Sequence, residues 1–219
     1  MTISLPLAAL PLDAGLAAMS TSFPWLSLIV LLPAVAALLM PLLPGDDSNP
    51  ALPRSIALVA LLADLALMLV TFSRGFDPAI GELQLVERFS WVPALRLEWS
   101  LAADGLSAPL VVLSGLVTLL AVAASWDVNR KCRLYFGLLL VQASAQSLVF
   151  LSQDFLLFFL AWELELVPVY LLIAIWGGAQ RQYAATKFIL YTATASLLIL
   201  IRDRKSTRLN SSHTVISYA

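Results

Sequence analysis

The sequence predicts an all-α polytopic membrane protein, and three observations carry that expectation. Sixty per cent of its 219 residues are hydrophobic and only 12% are charged, with a mean hydropathy of +0.89. Apolar runs of about 20 residues, the length that crosses a bilayer as a helix, recur along the chain. These runs do not alternate apolar with polar residues, which excludes a lipid-facing barrel. Backbone polar groups in lipid must then be satisfied within helices.

Six spans are expected. The first covers about Trp25–Leu43 and is interrupted by Pro33 and Pro41. A polar loop with Asp46 and Asp47 leads to the second, about Arg54–Phe72, which carries Asp64 near its centre, read more as a helix-packing partner than as a carrier. The third, about Leu106–Ser125, follows an Asp104-Gly105 turn in which Asp104 or Ser107 suits the helix N-cap. The fourth runs about Leu134–Leu151, the fifth Asp154–Trp176 and the sixth Ala184–Ile201. Between spans two and three, Glu82-Leu83-Gln84-Leu85 and Leu95-Arg96-Leu97-Glu98-Trp99 alternate around Pro93. Period-two alternation predicts a short extramembrane β-hairpin near 80–101, an irregular loop being the alternative. Trp91 and Trp99 suit the membrane interface.

Residues 1–22 have no Lys or Arg and read as a lead-in, with Met19 an alternative start. Orientation follows from the short loops. Arg54, the group Arg130, Lys131 and Arg133, and Arg181 all fall on one side. The positive-inside rule places that side in the cytoplasm and the N-terminus and hairpin in the periplasm or lumen. The stretch 202–219, RDRKSTRLNSSHTVISYA, is basic, polar and unperiodic. It resembles a translated sequencing-adapter remnant and is expected to be foreign to the native protein.

The chemistry concentrates in the fifth span, DFLLFFLAWELELVPVYLLIAIW. A charged residue at a membrane helix centre costs about 2.5–3.5 kcal/mol on insertion scales, and anchoring alone does not call for it. Glu163 and Glu165 lie about 200° apart around a helix and so cannot form a close dyad. Pro168 cannot donate to the carbonyl of Leu164, which weakens the backbone beside them. Burial and a nearby cation act on a carboxyl's proton affinity in opposite senses, so such an acid can take up and release a proton. Helix–helix hydrogen bonding is the structural alternative for both acids. Lys187, at the start of span six, either snorkels to the interface or joins a charged line across the membrane. Gln142, Ser144, Gln146 and Ser147 form a polar stripe on span four, suited to helix contacts or a water path. Small residues over Ala193–Ser196 suit close helix packing.

A single cysteine, Cys132, excludes an internal disulfide and any multi-cysteine metal site, and a single histidine, His213, argues against a histidine-based metal or haem site. A glycine-rich nucleotide loop and a CxxC pair are both missing. The chain itself is therefore expected to hold no cofactor, neither NADH nor an iron–sulfur cluster, and to bind no nucleic acid.

LLFFLAWELELVPVYLLIAIWGG followed by RQYAATKFILYTA resembles the antiporter-like membrane subunits of respiratory complex I and its photosynthetic relatives, of the D and M type; ADGLS at Ala103–Ser107 also fits. The resemblance implies about fourteen helices as two inverted half-channels, of which about six stand here. It divides the chain into a lead-in (1–22), three helices with the hairpin (23–133), the start of a proton-translocating domain (134–201) and the foreign tail (202–219). It implies that Glu163 takes part in proton translocation, paired with a lysine on a seventh helix, and places Glu165 in the subfamily pattern rather than the wider pump motif; Glu165 and Lys187 are further candidates from their own places in the spans. NAD(P)H or ferredoxin, iron–sulfur clusters and quinone would lie elsewhere in the complex. The implied partners are other membrane-arm subunits, the lipid bilayer and the quinone pool. The implied setting is a cyanobacterial thylakoid or a bacterial inner membrane. A sodium/proton antiporter subunit and a non-pumping membrane scaffold are the alternatives.

Overall fold

The computed structural model of the chain describes residues 23–42, 51–92 and 97–213, with side chains as far as 198. The lead-in with Met19, the loop acids Asp46 and Asp47, the hairpin tip with Pro93 and Arg96, and residues 214–219 lie outside the described residues. The chain forms two compact units, Met1–Ala161 and Trp162–Ala219.

Six helices and one hairpin make up the described chain. They are α1 (Trp25–Leu39), α2 (Ala51–Gly75), β1 (Gln84–Val92), β2 (Leu97–Ala103), α3 (Ser107–Ala124), α4 (Cys132–Leu151), α5 (Phe155–Trp176) and α6 (Arg181–His213). Among the described residues, α1 with its following turn and α2 to α5 are each long and apolar enough to cross a membrane. Pro33 does not interrupt the first span: α1 runs through it, and only at Met40–Leu42 does the backbone tighten into a 3-10 turn around Pro41. The loss is limited to one hydrogen bond, because only the carbonyl of Ile29, four residues back, is left without its helical donor. The sixth helix also differs from expectation. It starts three residues early and continues past Ile201 to His213, through the polar stretch.

In the first unit α4 is the central helix, with over half of its span buried (56%). Its small residues allow this. Ala143, Ser144, Ala145 and Ser147 are all buried, and Ser144 Oγ donates to the carbonyl of Val30 on α1 at 2.7 Å. At that point the polar stripe is therefore a helix contact. α2 and α3 approach closely at Gly115, where an added Cβ would lie 2.9 Å from Met68 Sδ. Outward-facing leucines and valines such as Leu31, Val35, Leu38, Leu113, Val117 and Leu120 are exposed, as a lipid-facing surface requires.

α3 begins where the sequence placed it. Asp104 Oδ1 accepts from the amides of Leu106 (2.9 Å) and Ser107 (2.6 Å), and the Asp104 amide donates to Ser107 Oγ (2.9 Å). Both residues are thus used, in a reciprocal capping box. The Ser107 amide beside it is the main reason the Asp104 carboxyl sits below its ordinary value of 3.8. A depressed folded-state value means its stabilisation is full above about pH 3.8 and is lost as pH falls through the lowered value. Asp104→Ala is expected to destabilise the fold by about 1 kcal/mol at neutral pH. That deficit should vanish in strongly acidic detergent solution, as read by thermal unfolding at the two pH values.

Arg54 opens α2 and is nearly buried. Its Nη2 donates to Val128 O (3.1 Å) and Asn129 Oδ1 (2.8 Å), and the guanidinium lies 5.7 Å from the centre of the Trp126 ring. It ties the start of α2 to the α3–α4 connection, so this arginine has a structural role.

Candidate functional site

The hairpin is antiparallel and pairs Gln84 with Ala103 and Glu87 with Leu101, so β1 carries one extra residue between them. Leu85 takes up the bulge with φ 56°. The expected alternation fails here for that reason: Gln84, Leu85, Val86 and Glu87 are all buried in succession. One consequence is that a carboxylate is turned inward. Glu87 Oε1 accepts from the amide of Leu26 at 2.7 Å, and Oε2 accepts from the amide and hydroxyl of Ser27 at 2.9 and 2.6 Å. Trp99 Nε1 donates to the same Ser27 Oγ at 2.9 Å. Trp99 is therefore held in this cluster rather than serving only as an interface anchor, while its partner Trp91 is exposed and meets it edge-on at 6.0 Å.

The accounting at the start of α1 is complete. Its first amides lack intrahelical acceptors. Pro24 stands at the N-cap and offers no side-chain bond. Trp25 N donates to Phe23 O, Glu87 takes Leu26 and Ser27, and Leu28 N begins the helical ladder on Pro24 O. A carboxylate here also meets the positive end of the helix dipole. The N-terminus of α1 and the hairpin thus share one side of the bundle. Sequence reasoning missed Glu87, whose one signal is a helix that starts without a local capping side chain.

α5 is entered through Asp154, whose Oδ1 accepts from Leu157 N at 2.9 Å. Glu163 comes nine residues later, about 13.5 Å along the axis at 1.5 Å per residue, near mid-span. The helix runs unbroken through Pro168, so the expected local break is confined to the lost bond at the Leu164 carbonyl.

Glu163 is half-buried, and its Oε1 is enclosed with no hydrogen-bond partner. Glu165 is also half-buried, two residues on. Lys187 is exposed on α6, and its Nζ lies 5.7 and 5.8 Å from the ring centres of Tyr183 and Tyr191, one turn to either side. The structure engages Lys187 with these rings and does not join it to Glu163. Gly177 ends α5, and a Cβ there would collide with the Ile173 carbonyl oxygen. Thr192, Thr194 and Ser196 spend their hydroxyls on carbonyls of their own helix.

Asp64 is the other acid within a span. It is fully buried on the face of α2 that also buries Ala57, Leu61, Met68 and Thr71. Its Oδ1 has no hydrogen-bond partner, so the expected role as a polar helix-packing partner is not met through that atom. Leaving a buried polar atom unpaired costs about 1–3 kcal/mol. Asp64→Val is therefore expected to leave the thermal midpoint unchanged or raised. A clear fall would mean that the carboxyl is satisfied in the membrane by a group outside this chain. Among the described residues no group of His, Cys, Asp and Glu is arranged to hold a metal.

Residues 152–202 match the family model described as NADH:quinone oxidoreductase/Mrp antiporter, transmembrane. The chain is 59% identical over 182 residues to NAD(P)H-quinone oxidoreductase chain 4 1 of Synechococcus elongatus, covering 83% of this chain and 34% of that one. It is 52% identical over 183 residues to chain 4 3 of a Picosynechococcus, covering 84% and 33%. Over the matched length the chain resembles these membrane subunits. It spans about a third of the length of these curated relatives. Among solved structures, the chain is similar to a chain of respiratory complex I from Thermus thermophilus with bound NADH, at TM-score 0.67 and 27% identity over 80% of this chain and 34% of that one. It also shares its fold with a chain of the Mrp complex from a Dietzia species, at TM-score 0.64 and 24% identity, covering 80% and 18%. The helical spans and these relatives make it an integral membrane protein.

Proposed function

We propose that this chain forms part of a proton-translocating membrane-arm subunit of an NAD(P)H-quinone oxidoreductase. In that assembly, electron transfer from NAD(P)H or ferredoxin to quinone occurs on other subunits, which hold the iron–sulfur clusters. The observation that carries the reading is Glu163, an ionisable side chain at mid-span with an enclosed, unpartnered oxygen, inside the stretch that matches the family model. An acid so placed marks a functional site by default, and proton relays are among the uses of such acids. When a cation approaches or withdraws, its proton affinity shifts, and a proton is taken from one side and released to the other. Lys187 and Glu165 are secondary candidates. The cation that answers Glu163 is not Lys187 in this arrangement, since Lys187 faces its tyrosines.

On this reading the partners are other membrane-arm subunits, the bilayer and the quinone pool. Residues from 134 onward open the proton-translocating domain, and the basic stretch from Arg202 is foreign to it. The basic loops face the cytoplasm and the hairpin faces the lumen or periplasm. The relatives favour a thylakoid or bacterial inner membrane. The shared fold with the Mrp chain keeps ion exchange without quinone as the second reading. The two are separated by assaying proton translocation in the intact complex, with Glu163→Gln introduced into the full-length gene. Quinone-driven proton uptake that falls while the complex still assembles supports the proposal. An unchanged proton-to-electron ratio sinks it, and sodium-dependent exchange without quinone selects the second reading.

A further inference from the structure

A groove of about 540 Å³ opens between the C-terminal end of α1 and the N-terminal end of α4. By the order of the helices it lies at the face of the bundle opposite the hairpin. Its floor is apolar and includes Ala37, Met40, Gly137 and Val141. Gly137 keeps this floor low: a Cβ there would stand 3.6 Å from Met40 Cβ and 4.0 Å from the Ala37 carbonyl oxygen, ordinary contact distances, so a longer side chain would have to project into the groove. Two cationic residues, Lys131 and Arg133, stand on its rim. Lys131 is exposed and held at the helix start by a left-handed backbone, φ 50°.

We propose that this groove binds one anionic glycerophospholipid, with the phosphate at Lys131 and Arg133 and an acyl chain along the Ala37–Gly137 slot. Three features point to a lipid rather than a peptide or free phosphate. The cations sit at the level where a helix leaves the bilayer, and basic pockets between membrane helices attract anionic headgroups. The floor offers no row of donors and acceptors, so a peptide would leave its own backbone unsatisfied there. A free phosphate would gain nothing from the apolar slot. The volume lies within the roughly 300–1,000 Å³ of sites that enclose small ligands.

The test uses the full chain reconstituted in phosphatidylcholine vesicles doped with a phosphatidylglycerol analogue that carries a photoactivatable diazirine near the end of one acyl chain. After irradiation and proteolysis, adducts should concentrate on residues 37–41 and 134–141. Unlabelled phosphatidylglycerol should compete for them, whereas added phosphatidylcholine and inorganic phosphate should not. Lys131→Gln combined with Arg133→Gln should lower these adducts roughly thirtyfold, as expected for two basic residues facing one phosphate. Gly137→Leu should remove them while leaving the charges in place. Adducts spread evenly over the outer faces of α1, α3 and α4, or equal competition by phosphatidylcholine, would overturn the proposal. The competition arm uses the unaltered chain, so the answer stands even if a variant fails to fold.

Discussion

Glu87→Ala should lower the stability of the first unit by about 3 kcal/mol, the largest loss expected from any single change outside the spans. Three hydrogen bonds converge on this buried carboxylate, from Leu26 N, Ser27 N and Ser27 Oγ. Hydrogen bonds to a charged group contribute about 1.5–3 kcal/mol net, and bonds that share one carboxylate do not add in full. Alanine leaves the two amides without acceptors at a helix start whose N-cap is proline, so no local side chain can replace the lost acceptor. The carboxylate also fastens the hairpin to α1 across a sequence separation of 61 residues. Its removal should therefore loosen β1 as well as fray α1. Glu87→Gln should fall between, because one amide oxygen can still accept while the amide nitrogen is set against donors. The measurements are thermal unfolding in detergent and hydrogen exchange at Leu26 and Ser27. Equal midpoints for the unaltered chain and the alanine variant would show that the cluster contributes nothing net.

The parts of this molecule that were legible in the sequence are those governed by local rules. Bilayer-length apolar runs define α1 to α5 within a few residues because a membrane helix must satisfy its backbone by itself. The Asp104–Ser107 box was visible because capping partners lie three residues apart. Proline was over-read at Pro33, where a single missing donor did not break the helix. The hairpin was visible as alternation, but its bulge was not. Leucine is an unusual residue for positive φ, and nothing around Leu85 marks it as the one to take that conformation. The bulge decides that Glu87 points inward, so its partners on α1 were out of reach of any pattern-based reading. The site shows the same division. Glu163 stood out because charge at mid-span is costly, whereas the engagement of Lys187 by Tyr183 and Tyr191 depends on rotamers at one-turn spacing. Those rotamers leave both a snorkelling and a chain-forming lysine compatible with the same letters.

Glu163→Gln is expected to separate chemistry from architecture. Glutamine keeps the shape of glutamate and loses the ability to ionise, so a proton route that depends on this side chain should slow by roughly 10²–10⁴-fold, the usual contribution of a positioned acid or base. Stability should not fall in step. The enclosed Oε1 has no partner to lose, and removing a potential charge from a helix centre relieves a cost of about 2.5–3.5 kcal/mol on insertion scales. The expected result in the intact, full-length complex is therefore normal assembly with a reduced proton-to-electron ratio. Glu165→Gln is the control, since its position two residues on faces the opposite side of α5; it should leave the ratio near normal if only one acid lies on the route. The scaffold alternative predicts the reverse pattern. If Glu163 served as glue for a neighbouring helix, glutamine would preserve one hydrogen bond and leave transport intact, whereas Glu163→Leu would break the assembly. Measuring subunit content on native gels beside quinone-driven proton uptake for the three variants distinguishes these outcomes. Intact assembly and unchanged uptake in all three would remove Glu163 from the mechanism altogether.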